Sequence, residues 1–592
     1  MKLQPFKVAF RCCLILVTAS AAGVCCHAAT LAISPQAIDN EFNGVVTLQI
    51  NGLANGDTVV VRKYADLNRN GVIDSGDLLM ENFRLTDGFA TTIGGVTNLN
   101  VPYDSTGTNG AITAQLNFLT GDSIRRFIGP YLFRISSPGG TFAPITNSFT
   151  ITNSPHAQTI TGVVRVGANP IAGATVVLLT PPPDQNLVAG TTTDAAGNYS
   201  VAVAPGTYQL IALRTGYVGT FSGSPEVTLN PGATVNANIN LVVATSTISG
   251  GVVNAADATI GIPGIVLFAQ SSNDSYALTS TDTNGTFTLP ILPDVWQIQP
   301  QDEGLALHGY VSRQSWPQFD ASAGNLTNAS IAVQFGTALF YGSMRDEGGA
   351  AVLGAVIRGN DSSDQYEGGG ETDLHGNYSF SVVPTTWYVS PQNDGANLSG
   401  YVIGGGTNTA ISAGQAIRVN FIAARPAGTI TGTVKDNSGA PVSGVSVWGS
   451  VYINNTSYNA GANTDANGHY SFGVVNGTWT IGLSCQGNDG LPNLGYDCTP
   501  NQLVSLPPTN AVANFTIYPY GTPVFGSPMS PGIGYFESQF FGAPGTNYTI
   551  QASPNLSSWS TVLITNPPDF MIYLQDNQAN GKQRFYRAFI GP

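Results

Sequence analysis

A chain that writes out one pattern of about ninety residues four times can fold only as a row of like units. Thr193-Asp194-Ala-Ala-Gly197-Asn198-Tyr199 is the first instance and Thr281-Asp282-Thr-Asn-Gly285-Thr286-Phe287 the second. Thr372-Asp373-Leu-His-Gly376-Asn377-Tyr378 and Thr464-Asp465-Ala-Asn-Gly468-His469-Tyr470 follow. Fourteen residues after each Asp stands an aromatic: Tyr208, Trp296, Trp387 and Trp479. Each copy also carries an opening glycine (Gly162, Gly250, Gly342, Gly432) and a second one (Gly173, Gly264, Gly354, Gly444). A later Gly-Tyr pair completes the set: Gly216-Tyr217, Gly309-Tyr310, Gly400-Tyr401 and Gly495-Tyr496.

The local physics of one copy is that of strands and tight turns. In Thr-Asp-x-x-Gly-x-aromatic the Asp carboxylate can accept backbone N–H groups, and the Gly supplies the positive φ that closes the corner. The aromatic then opens an alternating strand such as Tyr199-Ser-Val-Ala-Val. Composition agrees: 70 Gly, 36 Pro and only 9% charged residues, with no long run of helix formers. The expected fold class is all-β, a tandem array of β-sandwich domains.

The pattern Gly-x-Val…Gly-Ala-x-Val…Thr-Asp-x-x-Gly-x-Tyr…Gly-Thr-Tyr…Gly-Tyr resembles the carboxypeptidase regulatory-like domain. That resemblance implies a transthyretin-like sandwich within the carbohydrate-binding-like fold, without catalysis of its own. The fourth copy fits best and the first is close. The second and third depart at Ile262-Pro263-Gly264-Ile265 and Val352-Leu353-Gly354-Ala355.

The expected layout is an export signal at 1–29, a β-sandwich at 30–155, the four copies at 156–244, 245–335, 336–426 and 427–520, and a C-terminal sandwich at 521–592. Lys2, Lys7 and Arg11 precede an apolar run from Cys12 to Cys26, and Ala28 and Ala29 end it. A membrane anchor, or a lipid-modified Cys25 or Cys26, is the alternative reading of this segment. Export favours pairing of the two cysteines outside it, Cys485 and Cys498. A net charge of −14 without basic clusters argues against nucleic acid.

In the first module, Asp66, Asn68, Asn70, Val72, Asp74 and Asp77 stand at positions 1, 3, 5, 7, 9 and 12 of an EF-hand-type loop, with Gly71 at position 6. The pattern resembles dockerin loops. The expected ligand is calcium, with Val72 offering its carbonyl and Ile73 turned to the core, in a structural loop between strands. Near the C-terminus, Trp559 is expected in a small core.

No Gly-x-Ser-x-Gly, His-Glu-x-x-His or phosphate loop occurs in the sequence. His375 and His469 fall in separate turns, and Glu367 and Glu371 in what reads as a solvated acidic loop. The repeated Trp296, Trp387 and Trp479 read as core. Trp316 and Trp448 match no repeated aromatic and are the candidates for exposed carbohydrate-binding platforms. The expected function is an exported, non-catalytic scaffold or adhesin-like surface protein. A polysaccharide-binding protein, or an accessory part of a glycan- or peptide-degrading system, is the alternative. The expected partners are polysaccharide or cell-surface components.

Overall fold

The computed structural model describes residues 28–119, 124–182, 185–392, 400–453, 456–486, 490–506, 510–529, 535–579 and 583–591. The expected export signal and its four cysteines lie almost wholly outside these residues. The chain is all-β, a tandem array of sandwiches. Its one α-helix among the described residues is a six-residue turn, Asp302–Leu307.

The first module packs a three-stranded sheet (Thr30–Ser34, Gly44–Asn51, Ala111–Phe118) on a five-stranded one. Strict alternation along Thr47-Leu-Gln-Ile50 puts Leu48 and Ile50 inside, against Val59, Val61, Phe83 and Phe133.

Each copy uses its repeated residues in the same way. The carboxylate Oδ1 of Asp194 accepts the N–H groups of Ala196 and Asn198 at 2.8 and 2.9 Å. Asp282, Asp373 and Asp465 do the same for their own second and fourth following residues. The Thr before each Asp is buried. Thr193 Oγ1 donates to the Ile171 carbonyl at 2.7 Å and accepts from Ala174 N–H at 2.8 Å, clasping the turn around Gly173. The opening glycines sit where the first strand meets a closing strand that runs parallel to it. A Cβ on Gly162, Gly250, Gly342 or Gly432 would overlap the carbonyl oxygen of Ala237, Ala329, Val419 or Ala513. Tyr199, Tyr378 and Tyr470 donate their hydroxyls to three of those carbonyls. Trp296, Trp387 and Trp479 are fully buried, and each indole N–H donates to the carbonyl four residues earlier. They are core residues, as their spacing implies.

The Gly-Tyr pairs have a role that periodicity alone did not reveal. After each of the first three the chain forms a short strand that pairs with its own copy and then with the next. Gly219 and Thr220 pair with Tyr276 and Ser275. Ser312 and Arg313 pair with Glu367 and Tyr366. Ile403 and Gly404 pair with Asn459 and Tyr458. The valine after the tyrosine is carried into the neighbour's core: Val218, Val311 and Val402 each pack in the hydrophobic cluster of the following copy. The copies therefore do not close wholly independent interiors, because each lends a side chain and a strand to the next. The first module makes a smaller version of this joint, with Ile128 N–H donating to Gly190 O at 2.8 Å on the same edge of the first copy.

In the fourth copy the valine position is Asp497, 1% exposed, and its Oδ1 accepts Gly521 N–H. Cys498 follows and is bonded to Cys485, with Cα atoms 5.6 Å apart. The linking strand is replaced there by a covalently closed turn.

The first module also touches copies remote in sequence. Asn100 Nδ2 donates to Gly369 O, and Leu99 N–H to Ser379 Oγ, both at 2.7 Å. Gly264 lies against Asn82 and Glu81. The first three copies thus wrap around the first module.

Candidate functional site

The loop 66–77 joins two paired strands, Thr58–Ala65 and Leu78–Thr86. Its backbone is shaped from within. Asp66 accepts the N–H groups of Asn70 and Gly71, Asn70 Oδ1 accepts Val72 N–H, and Asp77 accepts those of Leu67 and Asp74. Gly71 takes φ 74°, the positive value its position demands. The side chains at positions 3, 5 and 9 meet: Asn68 Nδ2 and Asn70 Nδ2 both lie 2.8 Å from Asp74 Oδ2. Turning either amide over would present an oxygen in place of the nitrogen. Among the described residues no three His, Cys, Asp or Glu side chains converge as a metal set. A cation here would depend on the asparagine oxygens and the Val72 carbonyl as well as on carboxylates. Asp77 is pushed up by burial and by Asp74 and Asp66, a strain that a cation would relieve. Ile73 is only half-buried; Leu67 is the loop residue that packs inward, against Gly173 of the first copy.

The loop also forms a seam between modules. Arg69 Nη2 donates to Thr192 O at 2.9 Å, and Arg214 Nη1 reaches the carbonyls of Gly76 and Gly173 at 3.3 Å.

The two candidate platforms part company. Trp316 is 5% exposed and packs in the core of the second copy. It lies just before the strand Gln318–Asp320, which pairs beside Trp296, so the sheet covers it. It offers no face to a sugar. Trp448 is 37% exposed and stands opposite Gly461 on one neighbouring strand and Gly482 on the other. With no side chains on either flank, its indole lies across Gly482. Tyr452, 70% exposed, projects from the same strand face four residues on. Trp559 also lies elsewhere than its place after a strand implies. It is half-buried at the surface, its ring 4.2 Å from the Arg587 guanidinium, and not in a core.

Glu367 and Glu371 are not in a loop. They lie on the strand Tyr366–Glu371, between Val356–Asp361 and the linking strand of the second copy. Both line a cavity of about 390 Å³ where the first module meets the second and third copies. The helix Asp302–Leu307 forms another wall, and Tyr103 and Asn100 of the first module a third. Asp302 is open to water inside this recess yet surrounded by protein, and accepts the Ser312 hydroxyl. Burial, then Asp302, pushes Glu367 up to about 7. Arg125 is engaged by Glu81 at 3.2 Å and Glu303 at 3.9 Å, and Glu81 also binds the buried Lys63 at 3.4 Å. The repeat pattern hid this site, because its residues are those in which the copies differ.

The family pattern of the carboxypeptidase regulatory-like domain matches residues 159–242 and 429–491, within the first and fourth copies. No curated protein matches the chain. Among solved structures, the Bacillus anthracis TIE protein aligns at 11% identity over 67% of this chain and 75% of its own, with a TM-score of 0.16. A streptococcal ancillary pilin aligns at 11% identity over 46% of this chain and 98% of its own, with a TM-score of 0.17. A DUF3823 family protein from Bacteroides ovatus aligns at 14% identity over 28% of this chain and 90% of its own, with a TM-score of 0.13. No helix among the described residues is long and apolar enough to cross a membrane. Two of the four sandwich copies are therefore similar to carboxypeptidase regulatory-like domains, and both are the copies with a proline three residues before the second glycine, Pro170-Ile-Ala-Gly173 and Pro441-Val-Ser-Gly444.

Proposed function

We propose that the chain is an exported, non-catalytic scaffold of the adhesin or surface-protein kind, displayed after removal of residues 1–29. The observation that carries this reading is the set of three linking strands. Each of the first three copies covers one edge of the next by backbone pairing and adds a valine to its core. Such joints tie consecutive sandwiches together and cover one edge of each following sheet, which is then closed to uncontrolled pairing. The repeated aspartates are committed to backbone N–H groups, which suits geometry and not reaction. Calcium in the loop 66–77 would stiffen the seam between the first module and the first copy. Fractionation of the native host tests the proposal. The chain is expected in the surface or medium fraction with an N-terminus near Thr30, and a cytoplasmic chain of full mass would overturn it.

Trp448 favours a second reading, polysaccharide binding on the outer sheet of the fourth copy. An indole laid over glycine beside an exposed tyrosine offers the flat aromatic face on which a sugar ring stacks. Pull-down on insoluble polysaccharides checks it. Retention that falls at least about tenfold in Trp448→Ala, as loss of ~1.4 kcal/mol requires, supports this reading. Retention equal to wild type removes it.

A further inference from the structure

The four copies serve as controls for one another, and the second and third each bring carboxylates of their own to one place. In the first copy only Arg214 and Thr215 separate the strand Gly206–Leu213 from Gly216. The later copies place 8, 8 and 11 residues there (301–308, 392–399 and 484–494), and in the second they include the helix Asp302–Leu307. In the third copy, Glu367 and Glu371 occupy positions held by Val188 and Thr192, Tyr276 and Ser280, and Asn459 and Asn463 in the others. Glu367 and Glu371 do not serve the sandwich, since the other copies fold without them, and the helix, which adds Leu305 to the second copy's core, turns Asp302 and Glu303 to the cavity. Both sets of carboxylates face the cavity of about 390 Å³ between modules, a volume within the usual range for small-molecule sites.

The charge of the cavity sets the chemistry of its ligand. Five carboxylates line it, from Asp302, Glu303, Glu367, Glu371 and Asp373, against the guanidiniums of Arg125 and Arg358. Arg125 already serves Glu81 and Glu303. Asp302 and Glu367 repel one another across the joint between the second and third copies, and Arg358 offsets part of that repulsion. The carboxylates are spread around a recess of about 390 Å³, which has room for an organic cation. An ammonium group brings three N–H donors to spaced acceptors. Tyr103 adds an aromatic ring to the wall, which also favours a cation.

We propose that this cavity is a binding site for a small aliphatic amine, its ammonium group held by Asp302 and Glu367. The site exists only in the assembled array, because its walls come from three modules. It is separate from the Trp448 face and does not depend on the scaffold reading.

Titration calorimetry on the full mature chain at pH 8, with putrescine as probe and glucose as the neutral comparison, tests the proposal. Saturable binding of about one putrescine per chain is expected, at least tenfold weaker in Asp302→Asn combined with Glu367→Gln. Trp448→Ala should leave it unchanged. A melting curve shows whether the double variant is folded; if it is not, each single variant is titrated instead, and the same weakening is expected. No saturable putrescine binding, or equal binding by the folded variants, would overturn the proposal, as would glucose binding that the two substitutions abolish.

Discussion

A methyl group on Gly432 would overlap the Ala513 carbonyl oxygen, and the same holds for the equivalent glycine of every copy. The parallel closing strand passes directly over that position, and Tyr470 holds it there by donating to the same carbonyl at 2.5 Å. Gly432→Ala must therefore displace a strand and not merely a side chain. It is expected to destabilise the fourth copy by about 3 kcal/mol or more, the upper range for overpacking. Chemical unfolding of the chain followed at Trp479 measures this, and a midpoint equal to wild type would contradict it. The glycine was visible in the sequence as a repeated letter, but its reason was not, because Ala513 lies 81 positions away. The Asp of the corner was more legible, since its partners lie within four residues, whereas the Thr binds Val442 and Val445, 22 and 19 positions away.

At the scale of elements, what is local could be read and what is shared between copies could not. The loop 66–77 sits between two strands, as its spacing implied, and its Asx side chains shape it. That it also clamps the first copy through Arg69 and Arg214 needed coordinates, because neither arginine belongs to the motif. If the loop takes calcium, that ion steadies both partners of the seam. Millimolar calcium is expected to raise the melting temperature of the full chain, by about 2 °C or more for each kcal/mol of linkage, and chelator to lower it. Identical melting in calcium and in chelator would count against the site. Glu367 and Glu371 illustrate a misreading with a clear cause. Three consecutive glycines beside acidic residues look like a loop, yet pairing on both sides holds them in a strand. Trp316 was misjudged for a related reason: it lacks counterparts in the other copies because the second copy has its own extra packing, not because it faces water.

For the whole molecule, the row of copies is one continuous structure. Val218, Val311 and Val402 cross into the next interior, and the same position becomes Asp497 where the row ends. That substitution, with the Cys485–Cys498 bond beside it, distinguishes the terminal copy from the three that must pass the sheet onward. A disulfide closing a loop this short contributes on the order of 3 kcal/mol. It stabilises the last copy, which has no linking strand to share. The first module, in contact with three copies, turns what would be a string of beads into a wrapped assembly with a cavity where it meets the second and third copies. Native-state hydrogen exchange resolved by residue tests this continuity most directly. The amides of Tyr217–Thr220, Tyr310–Arg313 and Val402–Gly404 should exchange as slowly as those of the core strands Thr159–Val166 and Gly428–Asp436. Exchange of these three segments at the rate of exposed linkers, with the core strands still protected, would show that the copies are joined only by flexible chain.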